Sequence, residues 1–144
     1  MLRPVSLAAM LLTLAAPVAA ADGKAHRDYI LRCAGCHGMD GVGTVEGGIP
    51  TFPNSVGVIA ADDLGRTYMM HVPGVVSASL DDAEIAEVMN YVLGEWAPGE
   101  AEPFTAAEVT RRRAVPVADV VALRRDVAAK LMSEGYRIAD YPWP

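Results

Sequence analysis

Apolar residues recur at three- and four-residue steps through most of the chain, and no run alternates apolar with polar residues for long, so the pattern predicts helices with minimal sheet. The plainest case is the stripe Ile85, Val88, Met89 and Val92. It follows the acidic start Leu80-Asp81-Asp82-Ala83-Glu84 and precedes Pro98-Gly99, which predicts a capped helix ending near Glu95. Upstream, Tyr29, Ile30 and Cys33 fall on one face of a helix over 25–32, and a shorter helix over 60–71 is stopped by Val72-Pro73-Gly74. Between these, the segment 38–57 carries Gly38, Gly41, Gly43, Gly47, Gly48, Pro50 and Pro53 and reads as a loop. A loop of that length in a small domain is expected to have a task of its own.

Beyond Gly99 the helical pattern resumes. Thr105-Ala106-Ala107-Glu108 fits a capping box with Phe104 just before the cap, and Pro116 interrupts the helix it starts. A second helix is predicted over 119–134, with Val120, Leu123, Val127 and Leu131 as its stripe and Gly135 at its end. These two helices are expected to form a hairpin packed on the rest of the chain, and the aromatic, proline-rich end from Tyr136 to Pro144 to be extended.

The beginning of the chain reads differently. Met1-Leu2-Arg3, an apolar run from Val5 to Ala16 and the small residues Ala19-Ala20-Ala21 match a secretory signal peptide cleaved after Ala20 or Ala21. The run falls short of the roughly 20 apolar residues that cross a bilayer. The expected organisation is therefore a leader over 1–21, a domain over 22–98 and an extension over 99–144, in a periplasmic protein. The full chain has a net charge of −6 and cleavage removes Arg3, so the mature protein is more acidic still. That balance argues against nucleic acid or anionic lipid as a partner.

Candidate chemistry is concentrated in Cys33-Ala34-Gly35-Cys36-His37, which uses both cysteines of the chain. Two thiols three positions apart, followed at once by histidine, are the pattern of covalent haem c attachment. Each thiol can add to one vinyl group of the macrocycle, and His37 is then placed as the proximal iron ligand. A thioredoxin-like couple would be expected near a strand-helix-strand pattern, which is missing. A structural zinc site needs about four clustered ligands, and only His26 and His71 remain. A disulfide between Cys33 and Cys36 would leave His37 unexplained.

Taken with Gly38-Met39-Asp40-Gly41-Val42-Gly43, the helix start at Leu80-Asp81-Asp82-Ala83-Glu84-Ile85 and Asn90-Tyr91-Val92-Leu93, the motif resembles the class I mono-haem c-type cytochromes over about 25–96. The resemblance implies an all-α fold of three to four helices around one covalent haem, here with a C-terminal helical extension. It also implies that the first and last helices of the domain cross, with Tyr91 or Trp96 against Tyr29, and that the Pro50 carbonyl accepts a hydrogen bond from His37. The function implied is electron transfer, with no catalytic residue, between a periplasmic dehydrogenase or similar donor and a downstream acceptor.

One part of the family pattern is missing. The distal methionine usually stands directly before a proline ahead of the last helix, where this chain has Val72-Pro73, and no Met or His occurs from Gly74 to Leu80. The remaining candidates are His71, which shares a helical face with Leu64 and Tyr68, then Met69 or Met70, with Met39 and Met89 behind them. With none of these, the sixth position would be open to a gas or to peroxide. Arg111-Arg112-Arg113 and Arg124-Arg125 offer an alternative role for the extension, as a basic docking element for a redox partner.

Overall fold

The computed structural model describes residues 19–141; the leader read over 1–21 lies outside them except for its last three positions. Eight helices follow in order: α1 (Ala19–Arg32), α2 (Ala34–His37), α3 (Val56–Ala61), α4 (Asp63–Met69), α5 (Pro73–Val76), α6 (Asp82–Trp96), α7 (Ala106–Arg113) and α8 (Val120–Ser133). Among the described residues, β pairing is limited to an isolated antiparallel bridge between Thr44 and Ile49, so the fold is all-α. No helix among them is long and apolar enough to cross a membrane.

The sequence start of α6 closes as a full capping box. The Asp81 carboxylate accepts from the backbone N–H groups of Ala83 and Glu84, and the Glu84 carboxylate accepts from that of Asp81. The helix then buries Ile85, Val88, Met89, Val92 and Leu93 and crosses α1. At the crossing Tyr29 is fully enclosed, with its ring centroid 5.5 Å from Tyr91 and 5.2 Å from Trp96. Both aromatics expected near Tyr29 are therefore there. The buried face of α1 steps by four residues through Ala25, Tyr29 and the half-buried Cys33, whereas Ile30 is 44% exposed and does not share that face.

The single helix expected over 60–71 is two helices. Asp62 takes extended backbone angles, and its carboxylate accepts from the N–H of Gly65 at 2.9 Å, capping α4 just after α3 has ended. A short polar side chain that can satisfy a free helix N–H competes with helix continuation, and here it wins. The sharp step presses Gly65 onto the end of α3, so that a Cβ there would lie 2.1 Å from the Ile59 carbonyl oxygen. Gly65→Ala is accordingly expected to cost about 1–3 kcal/mol, as overpacking against unyielding backbone does. A urea midpoint unchanged from that of the parent protein would refute this.

The extension packs on the rest of the chain as expected, but its two helices lie against earlier helices rather than against each other. Helix α7 lies against α6 and α4, while α8 lies against α4 and α3, and Phe104, Val109, Val127 and Leu131 belong to the same core cluster as Tyr29 and Ile85. Asn90 holds the connection by bonding both the N–H and the carbonyl of Phe104. Of the expected capping box at α7, only half forms. Thr105 accepts from the N–H of Glu108, but the Glu108 carboxylate turns away from the cap to Arg66 and Arg112.

Arg66 explains that diversion. It is 8% exposed and spends its guanidinium on both oxygens of Glu108, at 2.6 and 2.7 Å, and on the carbonyls of Ala60, Glu102 and Pro103, with Phe104 stacked 3.8 Å away. Those contacts use the planar fork of donors that arginine alone supplies. They fasten α3, α4, the segment before α7 and α7 itself at one point.

Candidate functional site

The thiol motif sits where α1 gives way to α2. The N–H of Cys33 still bonds the Tyr29 carbonyl at 2.8 Å, while its own carbonyl accepts from the N–H groups of Cys36 and His37 at 3.1 and 2.9 Å. This tight turn puts the two sulfurs on neighbouring positions of one helical turn. Both cysteines are free, Cys33 half-buried and Cys36 exposed. Gly38 then turns the chain at φ +77°, and the Tyr29 hydroxyl donates to its carbonyl at 2.5 Å. The motif is thus fixed to the α1–α6 crossing.

The loop over 38–55 folds back beneath His37. Gly43 donates to the His37 carbonyl at 2.9 Å, and Phe52 donates to that of Gly41 at 2.8 Å. Gly41 has φ +71°, and a Cβ on it would stand 2.6 Å from the Trp96 ring, so glycine is required on both grounds. Phe52 stacks on the His37 imidazole, with ring centroids 4.0 Å apart and planes at 15°. Wrapping the motif is the task this long loop performs.

Burial pushes His37 down to about 4, against a smaller upward pull from the Pro50 carbonyl, so the imidazole is neutral at pH 7. A neutral ring is the form that binds a metal. Its Nδ1 is buried without a hydrogen-bond partner. The Pro50 carbonyl, the expected acceptor, is near enough to favour a proton on the ring, yet by distance and angle the bond is not closed. The Cys33 thiol is pushed up to about 11, chiefly by burial and then by Cys36 and Asp28. A dithiol redox couple wants the reverse, an attacking sulfur held as thiolate.

The distal candidates occupy different surroundings. Met70 is fully enclosed and Met69 nearly so, both within the core cluster, as is Met89; Met39 is 61% exposed. His71 has Nδ1 at 2.8 Å from the Thr67 carbonyl and Nε2 at 2.9 Å from the Val115 carbonyl; a neutral imidazole has one N–H and donates to only one of them. Tyr68, invoked with Leu64 to fix the helical phase, lies beneath the Arg124 guanidinium of α8 at 5.6 Å. That face of α4 looks toward the extension.

The basic clusters are divided between surface and interior. Arg112 bonds Glu108, Asp63 and Thr67 and Arg124 is 3% exposed, whereas Arg111, Arg113 and Arg125 stand on the surface, Arg113 paired there with Asp82. Two cavities of about 390 and 450 Å³ flank α8 and border none of Cys33, Cys36 and His37. Around the motif, Met39, Val42 and Val45 instead present exposed apolar side chains.

These residues fit a covalently attached haem. Two free thiols one turn apart, a neutral imidazole beside them and a backbone carbonyl, that of Pro50, close to its ring are what such a group requires on its proximal side. Among the described residues no three His, Cys, Asp or Glu side chains gather to cage a metal ion. An iron that brings its own macrocycle needs no such cage. Phe52, Ser55 and Arg66 were not legible as parts of the site or its support, and only the Pro-Gly density of the loop hinted at the first two. Comparison with protein-family models, with curated proteins and with solved structures gave no match.

Proposed function

We propose that the chain is an exported mono-haem cytochrome c of class I type that carries single electrons between a periplasmic donor and a downstream acceptor. The observation that carries this reading is the pairing of free Cys33 and Cys36 with a neutral, half-buried His37 that has the Pro50 carbonyl beside its ring. Haem bound there would supply a one-electron couple, tuned by its axial ligands and by burial. The protein's own part is to hold the thiols in register, keep the imidazole unprotonated and exclude water with the loop around Phe52.

The test is a purified holoprotein whose colour stays with the polypeptide through acid-acetone extraction and whose ferrous spectrum is of c type. Colour passing into the acetone would end the covalent reading.

A second reading, a haem protein with an open sixth position that binds a gas or peroxide, is favoured by one observation. His71 can reach a metal through one ring nitrogen only by turning that nitrogen away from the carbonyl it now faces, Thr67 or Val115. Met69 and Met70 carry no such commitments and remain the sulfur alternatives. Substituting His71, Met69 and Met70 singly distinguishes the readings: one variant turning a low-spin ferric spectrum high-spin identifies the ligand. A parent protein already high-spin, with rapid carbon monoxide binding, supports the open site.

A further inference from the structure

The C-terminal segment after α8 has a role that reaches the imidazole. Gly135 turns the chain at φ +89°, and the extended stretch that follows returns across α8 to the start of α3. There the N–H of Ala139 donates to the Ser55 hydroxyl oxygen at 2.7 Å, and the Ala139 carbonyl accepts from Arg124 at 2.6 Å. Ser55 occupies the N-cap position of α3 and is 3% exposed, but its side chain caps nothing in that helix. A serine in that position ordinarily accepts from the first free N–H groups of its own helix. Here the hydroxyl oxygen is given to the tail instead.

From Ser55 the connection to His37 is short. The N–H groups of Ser55 and Val56 both bond the Phe52 carbonyl, at 3.0 and 2.9 Å, closing a turn that includes Asn54 at φ +58°. Phe52 in turn lies flat on the imidazole. The Pro50 carbonyl makes no closed bond to Nδ1, so the Phe52 face, 4.0 Å away and nearly parallel, is the closest constraint described on the plane of the ring. Losing the tail contact would free the buried hydroxyl for the α3 cap, and the turn carrying Phe52 would adjust with it.

We propose that Ser55 and the backbone amide of Ala139 are positioning groups that set the orientation of the His37 ring through Phe52, making the tail part of the proximal support. The proposal rests on His37 being the proximal ligand. In ferric holoprotein, Ser55→Ala and Ala139→Pro, which removes the amide donor, are each expected to displace the His37 ring resonances in NMR. Each should also speed hydrogen exchange at Phe52 to Val56 by roughly five- to tenfold, the worth of one hydrogen bond. The double variant should add nothing to either single one, and Ser55→Thr, which keeps the hydroxyl, should restore the parent spectrum. Val109→Ala serves as the comparison, since it weakens core packing on α7, away from the tail, and should leave the ring resonances in place.

Unchanged His37 resonances in Ser55→Ala and Ala139→Pro, or effects that simply add, would overturn the proposal. If either variant fails to fold, the other carries the test. Colour extracted by acid-acetone from the parent protein would instead overturn the haem reading, a separate outcome from a strap that does not move the ring.

Discussion

Arg66→Met is expected to remove about 3–5 kcal/mol of stability, because it takes one partner from a largely buried ion pair and strands three carbonyls that the guanidinium satisfies. Domains of this size hold only about 5–15 kcal/mol in all, so the variant would stand close to unfolding. Arg66→Lys should recover little, since a single ammonium cannot address Glu108, Ala60 and Glu102 at once. The measurement is the denaturant midpoint; a shift below about 1 kcal/mol, the usual worth of an exposed pair, would show the network to be ornamental.

The same pair gives a pH signature. Arg66 above all, then Arg112, holds the Glu108 carboxyl down to about 2 from its ordinary 4.5 against the opposing effect of burial. The folded pKa is lower than the unfolded one, so this stabilisation is complete above about pH 4.5 and is lost as pH falls toward 2. Glu108→Gln should be less stable than the parent protein at pH 6, and the gap should narrow progressively below pH 4.5. A gap independent of pH would mean that the charge on Glu108 contributes nothing.

The second large effect concerns the thiols. On the proposed function, Cys33→Ala combined with Cys36→Ala is expected to abolish covalent retention, so that all colour leaves with acidified acetone. Either single variant keeps one thioether and remains coloured. In each single variant one vinyl group stays unsaturated and extends the conjugated ring, so the ferrous absorption should move to longer wavelength than in the parent protein. Retention of colour by the double variant would show that the motif does not carry the attachment.

How much of this could be read from the chain differs by element, for physical reasons. The starts of α6 and α8 were legible because Asp81 and Asp119 cap within three residues, a local interaction that a sequence displays directly. The break at Asp62 was not, since the same residue type can ride on a continuous helix, and only the close approach of Gly65 to Ile59 fixes the step. Arg66 carries no local signal, because its partners Glu102 and Glu108 lie some forty positions along. The motif Cys33 to His37 was legible as chemistry, but the Phe52 stack and the Ser55 contact with the tail depend on how a glycine-rich loop folds, which periodicity does not encode. His71 shares a helical face with Tyr68, as its spacing indicates, but that face meets Arg124 of α8, a neighbour some fifty positions away that helical phase cannot reveal.

The crossing of α1 and α6 has a temporal side. Tyr29 finds Tyr91 and Trp96 only when a distant part of the chain arrives, and closing so long a loop costs entropy that nothing local repays. Contacts of that kind slow folding. Until they form, the burial that pushes the Cys33 thiol up is absent, and the sulfur is as open as in any unfolded peptide. The reactivity of Cys33 therefore depends on the fold as well as on the motif: its thiol is shielded only where the chain has closed around it.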